Sequence, residues 1–170
     1  MRTIFLVPIA AIAAALSLSG PAGPGSPPPE KGAKLEHVAQ VIVDEGRTET
    51  DVRGALLDLL DETAAAAPAA GLPGDWAEKA VRARSLIAVR SALDEEARRL
   101  LEESWRAATG RAWSMPASVA RLEDATALVK RDVDGAVKAL REGRAADEVR
   151  LLLEAVLVVV TPMHARAASS

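Results

Sequence analysis

Between residues 75 and 109 apolar positions recur mainly at steps of three and four: Trp76, Ala80, Ala83, Ile87, Leu93, Ala97, Leu100, Leu101, Trp105 and Ala108. That spacing is one face of an α-helix. The opposite face is charged, and Glu78–Arg82, Glu95–Arg99, Arg98–Glu102 and Glu102–Arg106 stand four residues apart. Such pairs contribute roughly 0.3 kcal/mol each. Asp75 and Glu78 match an Asp version of the capping box, and Gly110 stands where a helix-ending glycine belongs. Unbroken, this helix is about 50 Å long at roughly 1.5 Å per residue. Ser91, followed by Asp94, reads as a second N-cap, so a kink or break there is the alternative. A stripe of this length needs other helices packed on it.

The flanking patterns supply them. Leu35, Val38, Ala39 and Ile42 mark a helix over residues 31–45 that Gly46 stops. Thr48 or Thr50 caps a second helix, residues 50–66, with Val52, Leu56, Leu59 and Leu60 on its apolar side. Gly54 weakens it by about 1 kcal/mol relative to alanine. Gly71, Pro73 and Gly74 form the loop before the long helix. Beyond Gly110, Pro116 suits the first position of a helix over residues 116–142, whose stripe is Val119, Leu122, Thr126, Val129, Val133, Ala136 and Leu140. Its spacing approaches a heptad, but its length and Gly135 fall short of a coiled coil.

The last segment, residues 146–160, carries Val149, Leu152, Leu153, Val156, Leu157 and Val160, and its second half is apolar all round. Such a segment is either the central helix or a contact surface covered by a second subunit. Its valines also suit a buried strand, but nothing else in the chain would pair with it. Pro162 ends the element. The expected fold is all-α: an antiparallel helical bundle of four to five helices in one domain over residues 31–164, with a frayed tail over residues 165–170.

The first residues follow a different pattern. Arg2 precedes an uncharged apolar run over residues 4–18, and small residues follow. Residues 1–22 therefore read as a signal peptide cleaved after Ser19 or Ala22. The run is shorter than the roughly 20 residues of a spanning helix, and an uncleaved membrane anchor is the alternative. A Gly/Pro/Ser-rich linker occupies residues 23–30. The expected location is extracytoplasmic, either periplasmic or secreted.

Composition narrows the chemistry. The chain has 170 residues and a net charge of −3, without the basic excess that would attract nucleic acid. It contains no cysteine, which excludes disulfides, Cys-ligated zinc, iron–sulfur clusters, covalently attached c-type haem and a lipoprotein anchor at the cleavage point. Tyrosine is absent, and Phe5 lies in the leader, so Leu, Val, Ala and three tryptophans must make the core. Abundant alanine and the excess of arginine over lysine point to a GC-rich bacterial genome.

Candidate sites are sparse. His37, Gln40 and Asp44 share one side of the first helix, but Gln is a poor transition-metal ligand and Asp44 lies two turns away. Helical bundles can hold haem between a His and a Met on different helices, so His37 or His164 with Met115 or Met163 form a candidate axial pair. The carboxylates Asp58, Asp61, Glu62, Asp94, Glu95, Glu96, Asp132 and Asp134 stand beside arginines and lysines and are expected on solvated faces. The Glu-x-x-His pairs of di-iron bundles, a strand–turn–helix serine elbow and a phosphate-binding glycine loop are all missing. Trp105 is expected to pack on its stripe, while Trp113 is open to a ligand or partner.

The expectation is a non-enzymatic exported protein without cofactor, acting through protein contacts as an adaptor, chaperone-like or structural module. Val156, Leu157, Val158, Val159, Val160 and Trp113 are its candidate interaction surface. A protein partner or self-association is expected, and a membrane only if the leader stays attached. The alternative is a small-ligand or haem binder within the bundle core; an enzyme ranks third.

Overall fold

The computed structural model describes residues 29–44 and 46–163. Six helices follow in order: α1 (Pro29–Val43), α2 (Glu49–Ala66), α3 (Gly74–Val89), α4 (Glu95–Thr109), α5 (Leu122–Arg141) and α6 (Ala145–Val160). The described residues contain no strand. The expected leader and the tail from residue 165 lie outside them.

The expected helix over residues 75–109 is two helices. Asp94 takes an extended backbone (φ −60°, ψ 123°), and its carboxylate accepts from the Ala97 N–H at 2.9 Å. Ser91, the cap suggested by spacing, instead accepts from the Leu93 N–H at 3.1 Å inside the loop. The chain then doubles back. The Trp76 indole N–H donates to the Ser104 carbonyl at 2.8 Å, joining the start of α3 to the latter half of α4. The stripe is real on both sides of the break, because Trp76, Ala80, Ala83, Ile87, Ala97, Leu100 and Leu101 are all buried. Folding it into a hairpin lets the two halves cover each other. Arg82 consequently reaches Glu96 on the facing helix at 2.6 Å, and of the four expected pairs only Arg98–Glu102 forms, also at 2.6 Å. The expected Asp75 cap does not form either: Pro73 occupies the N-cap position, and Asp75 lies in the first turn within 3.8 Å of Lys79. Gly110 closes α4 at φ 71°, a conformation that glycine reaches without strain.

Pro116 also does less than its position suggests. It starts a single turn, in which the Val119 N–H donates to the Pro116 carbonyl at 2.9 Å. The helix starts at Leu122, because the Asp124 carboxylate accepts from the Arg121 and Ala120 N–H groups at 3.0 and 3.2 Å. Thr48 and Asp51 form the reciprocal capping box of α2, with Thr48 N–H to Asp51 at 2.8 Å and Asp51 N–H to Thr48 Oγ1 at 3.2 Å.

The all-apolar segment takes the centre of the bundle. α6 packs against α5, α2 and α4, and Leu152, Leu153, Val156, Leu157 and Val160 are fully buried. α5 lies between α6 and α1, so its buried arc is wider than a heptad stripe and includes Ala125, Leu128 and Asp132. α1 and α2 run antiparallel, since Lys34 reaches Asp58 while Lys31 reaches Glu62. At the same end Lys31 Nζ meets the buried Glu148 at 3.1 Å, tying α1 to the first turn of α6. Among the described residues no helix is long and apolar enough to cross a membrane.

Candidate functional site

A groove of about 480 Å³ opens at the end of the bundle where α1 and α6 finish and α2 and α5 begin. Its inner wall is Val158 and Val159 of α6 facing Ala125 and Val129 of α5. Ile42 and Val52 close one side, and Leu93, from the loop that breaks the long stripe, reaches in from another. Pro162 ends α6 and, with Met163, forms part of the rim.

Three of the five exposed large apolar side chains among the described residues stand in this groove: Leu93 at 56 %, Leu122 at 61 % and Met163 at 41 % exposure. Leu93 belongs to the predicted stripe but loses its cover at the turn. Leu122 likewise stands at the first turn of α5, beyond the reach of the neighbouring helices. Volume and lining match the concave, mainly apolar sites that hold small molecules.

The groove has one charged lining residue, Arg47, from the α1–α2 connection. Its Nη1 donates to the Asp44 carbonyl at 2.7 Å, which holds the guanidinium at the groove mouth. Both hydroxyls make internal hydrogen bonds: Thr126 donates to the Leu122 carbonyl at 3.0 Å, and Thr161 accepts from the Trp113 indole at 3.1 Å. An adjoining depression shares Arg47, Leu122 and Thr126 and adds Glu123.

The expected interaction surface divides. Val156, Leu157 and Val160 are enclosed by the core and present no outer surface. Val158, 2 % exposed, and the half-buried Val159 form the groove wall. Trp113 is half-buried and packs edge-to-face on Trp105, with ring centroids 5.3 Å apart. The haem candidates are spread out. His37 is exposed, in a shallow depression with Gln40, Val41, Val43 and Asp44, which contains neither methionine. Met115 is half-buried against the core, Met163 is on the groove rim, and His164 lies outside the described residues. No cluster of three His, Cys, Asp or Glu side chains among the described residues is placed to hold a metal ion.

One of the carboxylates expected on solvated faces is not there. Asp132 is completely buried where α5 faces α6. Its Oδ1 accepts from Arg131 Nη2 at 2.9 Å and Nε at 3.2 Å, while Oδ2 has no partner among the described residues. Burial pushes its carboxyl up to about 6, with Glu154 adding to the rise and Arg131 and Arg150 opposing it. Its neighbour Asp134 is exposed and paired with Lys130 as expected. The available signal was Asp132 standing four residues after Leu128, on the flank of a stripe that two neighbours cover.

The chain matches no protein-family model, no curated protein and no solved structure.

Proposed function

We propose that this protein is an exported, non-enzymatic binding module that holds an apolar group in the groove between the ends of α1, α2, α5 and α6. The observation that carries the reading is the coincidence of the groove with Leu93, Leu122 and Met163, three exposed apolar side chains brought together from distant parts of the chain. Exposing them costs stability that a bound apolar partner returns. The lining supports binding rather than chemistry: its hydroxyls serve internal hydrogen bonds, and its single charge is an arginine. Export rests on the leader pattern of residues 1–22.

Titration of the full chain with the uncharged dye Nile red tests the site. The expected result is saturable binding of one dye per chain, abolished by Val159→Arg in a variant that keeps its circular dichroism and melting temperature. Absence of saturable binding, or equal binding by Val159→Arg, would overturn the reading. A mass of the exported protein beginning after Ser19 or Ala22 supports export; an intact Met1 on cytosolic material counts against it.

A further inference from the structure

From the groove's charge and shape we infer that its occupant is a single-chain amphiphile with an anionic head group, of the fatty-acid class. This rests on the proposed binding role and adds to it the chemistry of the ligand. Ile42, Val129, Val158 and Val159 offer an apolar wall for a hydrocarbon chain. Arg47 is the only charge on the lining and is half-buried at its edge. With Nη1 held by the Asp44 carbonyl, its Nε and Nη2 groups have no hydrogen-bond partner among the described residues, and among these Arg47 pairs with no carboxylate. A guanidinium donates two parallel hydrogen bonds to a carboxylate or phosphate head, and these are stronger than bonds to a neutral acceptor. A neutral head gains only a weaker hydrogen bond from that arrangement, and a cationic head is repelled by it.

Head-group choice is the readout. Dodecanoate, dodecanol and dodecylamine share one chain length and differ at the head. Each is used below its critical micelle concentration to displace Nile red from the full chain. Dodecanoate is expected to act at about tenfold lower concentration than dodecanol, the factor contributed by a single charge-assisted contact. Arg47→Gln is expected to erase that advantage while leaving dodecanol unchanged, and Arg47→Lys to keep most of it. Equal displacement by acid and alcohol, or an acid preference that survives Arg47→Gln, would overturn the inference. Dye binding that still depends on Val159 would in either case leave the proposed function standing, whereas loss of dye binding itself removes both. Self-association in sedimentation that Val159→Arg abolishes and dodecanoate does not would assign the groove to a second copy of the chain, and the inference falls.

Discussion

The indole N–H of Trp113 donates to the Thr161 hydroxyl at 3.1 Å, fastening the connection between α4 and α5 to the end of the central helix. Thr161 lines the groove, so Trp113 is a built-in reporter one residue behind its wall. Ligand entry is expected to change tryptophan emission, and Trp113→Phe to abolish that change. The same substitution removes one buried-edge hydrogen bond and should cost about 1 kcal/mol in urea denaturation.

Asp132 gives stability a pH dependence of unusual sign. Burial raises its carboxyl from the ordinary 3.8 of the unfolded chain to about 6 in the folded one. The folded state therefore binds the proton more tightly. The stabilisation is fully present below about pH 4 and is lost as pH rises through about 6, a change of up to about 3 kcal/mol. Urea denaturation at stepped pH should show Asp132→Asn level across that window while the parent weakens. Asp51, Asp94 and Asp124, held low by backbone N–H donors at helix starts, act in the opposite sense on the acid side of this window and are common to both proteins.

Two glycines inside helices separate propensity from packing. A Cβ at Gly54 meets nothing within 4 Å, so Gly54→Ala should raise stability by about 1 kcal/mol. A Cβ at Gly135 comes within 3.1 Å of Leu151 Cδ1 on the facing helix α6. Gly135→Ala is therefore expected to gain less than Gly54→Ala, and thermal melting of the two variants compares them directly.

An enclosed position of α6 should not tolerate a charge. Val156 is fully enclosed, and Val156→Asp places a carboxylate where nothing pairs with it, at a cost of about 3 kcal/mol or more. Loss of the cooperative melt is the expected outcome. A carboxylate variant at Val156 that melts like the parent would show that α6 is not central.

The apolar surface on every side of α6 left two placements, the bundle centre or a face covered by a second subunit, and the helix takes the first. The stripes of α1, α2 and the α3–α4 pair were legible in the three-and-four spacing of residues such as Leu35, Leu56, Trp76 and Leu101. The break before Asp94 was harder: the step of six from Ile87 to Leu93 interrupts the three-and-four spacing, but helical spacing resumes beyond it. Cap chemistry then places the restart, and the decisive cap was Asp94 rather than Ser91. Pro116 misled because proline tolerates the start of a helix without requiring one, whereas Asp124 fixes it. Asp132 was hidden by its charge, which a local pattern assigns to water unless the neighbours on both flanks are known. Of the groove only Val158 and Val159 were legible, as part of an apolar contact surface, and not the cavity they line. Ile42, Leu93, Leu122 and Val159 are remote in sequence, and their meeting depends on where four helices and one turn end.

The central claim is that this groove holds an anionic single-chain amphiphile. Native mass spectrometry of the full chain, expressed in a bacterial host and purified without detergent, addresses it most directly. The account predicts a population carrying the added mass of one such molecule, diminished in Arg47→Gln and missing from Val159→Arg. A bare-chain mass alone for the parent, or the same adduct on Val159→Arg, would contradict it.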